Sequence, residues 1–254
     1  MISLPPPATV APSPADQVAI AAKVTQAAEA VLPSAEVGFE VFDLVAGSVL
    51  TSHDADRQFA SMSVVKLLIA LDVLTRENGT IPDATRQEMH QMLADSDDEI
   101  ANQFWSSGGG PAIVDRVVSL LRLTGTSGPE DPGEWGDTQV TSHDMVTVYR
   151  YITSQLPKAD QDLILGALAD TPRIAADGFD QYFGIPDGMA NTSWAVKQGW
   201  GTSGSQAVMN STGLVGTDRR YVVVVLASAP ANSYSALPGV VTAGAGTVAS
   251  LAGL

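Results

Sequence analysis

Strand-like segments occur only near the two ends of this 254-residue chain. Val37 to Leu44 alternates in part (Val37, Phe39, Val41), and Val49-Leu50 reads as its hairpin partner across a turn at Ala46-Gly47. Toward the other end, Trp194–Gln198, Gln206–Leu214 and Arg220–Ser228 are strand-like. A turn at Gly216-Thr217-Asp218 joins the last two. Helical spacing fills the middle, over about 63–76, 84–93, 97–105, 111–122, 142–155 and 158–169. A helix from Ser13-Pro14 to Val31, stopped by Pro33, precedes the first strands, and a small-residue helix near 238–252 ends the chain. Strands left apart at the two ends would expose unpaired edges. The two ends must therefore meet in one sheet, with a helical block inserted between them. The expected division is a Pro-rich tether at 1–14, an α/β part made of 15–56 plus 191–254, and an all-α part at 57–190. A cleft is expected where the two parts join. No internal repeat is apparent.

Composition narrows the function. The formal charge is −15 and the pI about 4.3. That excludes a nucleic-acid binder, which needs a basic face, and attraction to an anionic membrane surface. There are no cysteines, so disulfides and thiolate metal sites are ruled out. The three histidines (His53, His90, His143) form no HExxH pattern, and neither a metal nor a cofactor is expected. The longest strand-like apolar run, Tyr221–Ala227, is too short to span a bilayer. A monomer is expected. The start, with Pro5, Pro6, Pro7, Pro12 and Pro14, reads as a stiff extended tether behind a trimmed signal or lipid anchor, which would place the protein outside the cytoplasm. An ordinary chain terminus reads equally well.

Three short stretches could carry chemistry. The first is Ser63-Val64-Val65-Lys66, opening a helix that is apolar nearly all round (Val64, Val65, Leu67, Leu68, Ile69, Leu71, Val73, Leu74). Such a helix is central and buried. Residues three apart share a face, so Lys66 stacks against Ser63. Free N–H groups at the helix start favour developing negative charge. A serine hydroxyl needs a base, and burial in apolar surroundings lowers a lysine pKa enough to supply one. Taken alone, the pair is equally an N-cap with a snorkelling lysine. The second stretch is Ser96-Asp97-Asp98-Glu99, where Ser96 is a candidate proton relay. The plain alternative is a capping box formed by Ser96 and Glu99. The third is Lys197-Gln198-Gly199-Trp200, a strand lysine beside glycines. It suits a substrate carboxylate and an oxyanion, and also suits a twisted strand with a surface lysine.

In order and context these stretches resemble the penicillin-binding protein and class A β-lactamase superfamily, which carries SxxK, an SDN-like triplet and a Lys-Thr/Ser-Gly strand. Phe59-Ala60-Ser61-Met62 leads into the serine, Met92-Leu93 and Ala101-Asn102 bracket the triplet, and Asp137-Thr138 precedes a helix after a long loop at 124–140. The resemblance spans about residues 15–254. It implies an α/β fold of the α+β type: an antiparallel sheet with helices on both faces plus an all-helical subdomain. It also implies a serine acyl hydrolase for a small-molecule or peptidoglycan-like substrate. Ser63 would be the acylated nucleophile, Lys66 the base and Ser96 the relay. Lys197 would orient Ser96 and a substrate carboxylate, and the N–H groups of Ser63 and Trp200 would form the oxyanion hole. Asp98, Gln198, Gly199 and Trp200 complete the expected substrate site.

Two residues depart from the superfamily's pattern. Asp98 replaces an asparagine, and an ionised carboxylate cannot donate to a substrate carbonyl. It could instead pair with Lys66 and keep it charged. Gln198 replaces the hydroxyl residue. The loop before Asp137 lacks the Glu-x-x-Leu-Asn segment, and its glutamates, Glu130 and Glu134, read as solubilising residues. Efficient penicillin hydrolysis is therefore expected to be absent. A catalytically impaired envelope-binding protein of the same fold is the competing expectation. A Ser-His-Asp hydrolase fits poorly, since no Gly-x-Ser-x-Gly elbow is present.

Overall fold

A computed structural model describes residues 13–76 and 81–252. Helix α1 (Pro14–Val31) is capped by Ser13, whose hydroxyl accepts from the Asp16 N–H. It is followed by the hairpin β1 (Glu36–Asp43) and β2 (Ser48–His53). From the far end of the chain come β5 (Trp194–Ser203), β6 (Gln206–Val215) and β7 (Tyr221–Pro230). The five form an antiparallel sheet in the order β2-β1-β7-β6-β5. The pairing of β1 with β7, from Glu36 opposite Ser228 to Asp43 opposite Tyr221, joins the two ends of the chain as expected.

Both sheet faces are covered, so the strands are buried almost throughout. Alternation then sorts the side chains. Val223, Val225 and Ala227 of β7, with Val37, Phe39 and Val41 of β1, face α1 and the closing helix α9 (Leu237–Ala252). Val222, Val224 and Leu226 face the helical block. That second core runs without a break from the sheet into the helices, across both of the expected subdomain junctions.

At its centre is α2 (Lys66–Arg76), whose residues from Lys66 to Leu74 are all buried. Around it lie α3 (Asp83–Ala94), α4 (Asp98–Gly108), α5 (Ala112–Leu121), α6 (Ser142–Ser154) and α7 (Lys158–Ala169). Buried Asp72 in α2 is held by Arg116 at 2.6 and 2.9 Å and by Arg76 at 2.8 Å, which offsets the cost of removing the carboxylate from water.

Several local expectations change. The helix expected to start at Ser63 begins as a 3-10 turn, Met62–Val65, and becomes α-helical at Lys66. Asp97, not Ser96, caps α4: its carboxylate accepts from the Ile100 N–H, while Ser96 takes a left-handed φ of +58°. Strand β5 runs five residues past Gln198, to Ser203, before turning at Gly204 (φ +55°). The segment 124–140, expected as a loop, contains a 3-10 turn (Trp135–Asp137) and a short strand β4 (Gln139–Val140) paired with β3 (Phe59–Ala60). Its start is pinned by Asp144, which accepts from the N–H groups of Thr124 and Gly125 and from the Thr126 hydroxyl. A short helix α8 (Ile185–Gly188) was not foreseen. Asn78-Gly79, a pair suited to a left-handed cap after the helix at 63–76, and most of the 1–14 tether lie outside the described residues.

Candidate active site

The 3-10 turn places Ser63 against β5. The preceding residue, Met62, has φ +49°, a region costly for a side chain other than glycine. Three contacts fix the turn from outside. Buried Asn210 of β6 donates its amide to the carbonyls of Ala60 and Ser61, at 2.9 and 3.1 Å. The Ser61 N–H donates to Thr138 O at 2.7 Å. Gly199 of β5 lies so close that a Cβ there would stand 2.6 Å from Ser61 O and 3.2 Å from Ser63 N. Its role in the structure is thus to admit close approach of two backbones. Gly199→Ala is expected to push the Ser63 turn away, with a loss of about 1–3 kcal/mol in unfolding free energy and slower Ser63 acylation. A denaturant melt and an acylation time course check this, and an unchanged variant would refute it.

Three polar side chains meet behind Ser63: Lys66 of α2, Ser96 of the turn before α4, and Lys197 of β5. Lys66 Nζ donates to Ser63 Oγ at 2.8 Å, to Ser96 O at 2.7 Å and to Ser96 Oγ at 3.3 Å. Lys197 Nζ reaches Ser96 Oγ at 2.8 Å and its neighbour's Gln198 O at 3.2 Å. The left-handed backbone of Ser96 lets one residue offer both its carbonyl and its hydroxyl to the two lysines. Both lysines are buried. Desolvation pulls Lys66 below the ordinary lysine pKa, against the opposing charges of Asp98, Asp97 and Asp177. Lys197 is driven well down, by burial first and then by the charge of Lys66.

Asp98 does pair with Lys66, at 2.5 Å, but its side chain is 57% exposed where that of Lys66 is 0%. Its attraction is therefore partly screened by water, and burial remains the larger influence on Lys66.

A cleft of about 400 Å³ opens in front of Ser63, lined by Met62, Asp98, Asn102, residues 133–137, Asp177, Trp200 and Thr202. Of the expected substrate residues, Asp98 and Trp200 line it. Lys197 lies beneath the surface. Gln198 is turned elsewhere: it is fully buried, and its amide donates to the carbonyls of Gln181 and Phe183, tying β5 to that loop. Its alternation with Lys197 along the strand sends it to the opposite face. None of the three histidines lines the cleft.

Sequence reasoning missed several cleft residues. Trp135 covers Lys66, with Nζ 4.9 Å from the ring centroid, and donates Nε1–H to Asn102 Oδ1 at 2.7 Å. Asp177 accepts from the indole N–H of the expected Trp200 at 3.0 Å, and Phe179 stacks on that ring. Glu134, read as a solubilising loop residue, lines the cleft as well. Neither Trp135 nor Asp177 belongs to a spaced motif, and only the folded path of their loops brings them to Ser63.

No protein-family model matches the chain. Proteins of Mycobacterium tuberculosis and Mycobacterium bovis that bear the provisional name lipoprotein LppW are 35% identical to it over 215 residues, or 82% of this chain and 68% of theirs. The chain belongs to the LppW family. Among solved structures, a β-lactamase from Streptosporangium roseum is similar over 95% of this chain and 99% of its own, with a TM-score of 0.74 at 15% identity. PBP-A is similar over 92% and 97%, with a TM-score of 0.72 at 17% identity. A β-lactamase from Chitinophaga pinensis gives 0.67 at 16% identity, over 92% and 96%. This LppW-family chain therefore has the fold of the serine β-lactamase and penicillin-binding superfamily, as its motifs implied.

Proposed function

We propose that this LppW-family protein is a serine acyl hydrolase. It would work through an acyl-enzyme on Ser63, on a peptide or ester related to cell-wall material. The observation that carries the reading is the 2.8 Å bond between Ser63 Oγ and a buried Lys66 whose pKa is held below its ordinary value.

In the proposed reaction neutral Lys66 takes the hydroxyl proton as Ser63 Oγ bonds to the acyl carbon. The N–H groups of Ser63 and Trp200 face the resulting oxyanion. The leaving group departs with a proton from the Ser96 hydroxyl, which is replenished from the lysine amines it touches. Water then cleaves the ester and Ser63 regains its hydrogen. PBP-A, a relative in fold, forms an acyl-enzyme with penicillin G in a variant form. Here Asp98 presents a carboxylate toward the substrate, so β-lactams are expected to be poor substrates.

The α/β part (15–56 plus 191–254) and the all-α part (57–190) are proposed as its two subdomains, with the cleft between them. Among the described residues no helix is long and apolar enough to cross a membrane. The lipoprotein name of the relatives supports an extracytoplasmic place, secreted or lipid-anchored at the surface. We propose a monomer.

Intact mass after exposure to an acyl fluorophosphonate or a penicillin tests the nucleophile. A single adduct on the wild type and none on Ser63→Ala is expected. An adduct that persists in Ser63→Ala, or none on the wild type with either reagent, would overturn the assignment. A second reading, an envelope-binding protein with impaired catalysis, is favoured by the Lys66–Asp98 pair, which opposes deprotonation of the base.

A further inference from the structure

We propose that the Ser63 cleft takes a substrate bearing a protonated amine, and that it discriminates against the free carboxylate. This rests on the proposed function, since it names the substrate class of the same site.

The Ser63–Lys66 pair marks the cleft as the place of the reacting group, independently of the cleft's charge. Four carboxylates line it: Asp98, Glu134, Asp137 and Asp177. No lysine or arginine is among the described residues that line it. The two cations nearest the site offer little to a ligand anion. Lys197 is 1% exposed and committed to Ser96 Oγ and Gln198 O, and burial favours its neutral form. Lys66 is 0% exposed and engaged with Ser63, Ser96 and Asp98. A ligand carboxylate would thus meet four negative groups with no exposed cation to offset them.

Several acids elsewhere on the molecule are held by arginines. Arg173 bridges Asp180 and Asp187, Arg220 holds Asp43, and Arg76 and Arg116 hold Asp72. Glu134 and Asp137 have no ion-pair partner among the described residues.

The cleft walls add surfaces that accept cations. Trp135 already has the Lys66 amine against its ring. Trp200 lies beside Asp177, with an indole N–H to carboxylate bond fixing the pair. An indole beside a carboxylate suits an alkylammonium group through combined charge and ring attraction. Asp98 accepts hydrogen bonds and, when ionised, cannot donate one. It therefore matches an N–H-bearing group where an asparagine would serve a carbonyl. These features together favour one ligand charge.

The test uses three activated esters of one acyl chain that differ only at its far end: ammonium, acetylated amine and carboxylate. Second-order acylation of Ser63 is read by intact mass at low salt. The expected order is ammonium, then neutral, then carboxylate, with about a tenfold or larger span that shrinks in 0.5 M salt as the charges are screened. Asp177→Asn and Glu134→Gln should each narrow the ammonium-to-carboxylate ratio about threefold. Equal rates, or a preference for the carboxylate, with Ser63 acylated would overturn the proposal and leave the hydrolase reading intact.

If no ester acylates Ser63, the hydrolase reading fails, and the charge preference is read from binding instead. The amide counterparts of the three compounds are titrated into Ser63→Ala, following tryptophan fluorescence. Tighter binding of the ammonium compound supports the proposal. No binding, or no dependence on charge, overturns it.

Discussion

Lys66→Ala should slow acylation of Ser63 by about a thousandfold, within the roughly 10²- to 10⁴-fold range that a positioned base contributes. The reason is geometric. Lys66 makes the single amine contact to Ser63 Oγ among the described residues, and the next lysine, Lys197, reaches Ser96 instead. The pH dependence carries the sign. Lys66 acts as a base only when neutral, so acylation should rise with pH as the amine loses its proton. Because burial holds that pKa below the ordinary 10.5, the rise should come below the range of an exposed lysine. Stopped-flow acylation by an activated ester across pH, in wild type and variant, checks both points. A variant that keeps the wild-type rate and profile would remove Lys66 from the mechanism. The variant also deletes a charge from a dry interior, so its folding should be verified by melting before rates are compared.

Asp98→Asn should accelerate acylation at neutral pH and move the rising limb to lower pH. Asp98 raises the Lys66 pKa through both its charge and its hydrogen bond, so its removal lowers that pKa further. Asp98 is more than half exposed, so water screens part of its pull, and the neutral fraction of Lys66 at neutral pH should rise when that pull is removed. The substitution also restores a donor toward a substrate carbonyl. Reactivity toward a penicillin should therefore rise with it, read as faster growth of the Ser63 adduct by mass. An unmoved pH profile would mean that Asp98 does not control the base. That result, with Lys66→Ala also silent, would favour the envelope-binding reading.

The Asp98–Lys66 pair was foreseen as a way of disabling the base, and the geometry qualifies that expectation. The pair forms, yet Lys66 still lies below its ordinary pKa, because burial of the amine outweighs a half-exposed partner. Sequence order shows that Asp98 can approach Lys66. It cannot rank two opposing effects, because each depends on how much water remains around it.

Much of the architecture was legible because it follows from periodicity and edge satisfaction. Strands at both ends of the chain with helices between them leave few arrangements other than a shared sheet, and β1 pairs with β7 accordingly. The apolar run after Ser63 could only be a central helix, and α2 is buried from Lys66 to Leu74. Spacing of three also placed Lys66 at the Ser63 hydroxyl, since that contact is local in sequence.

What required the folded chain is whatever joins residues far apart without a local period. Lys197 meets Ser96 across 101 positions, and Asn210 holds the Ser63 turn from 149 and 150 positions away. Gln198 stands one residue from Lys197 yet serves another face, because a strand alternates its side chains. Asp97 displaced Ser96 as the helix cap once Ser96 turned left-handed to face two lysines. Sequence alone determined the sheet's composition, the central helix and the Ser63–Lys66 contact, because short-range geometry and the burial of apolar faces leave little freedom there. Tertiary structure alone decided the acidic cleft, its tryptophan walls and the balance on Lys66, because charge and solvent exposure are set by elements that meet only after folding.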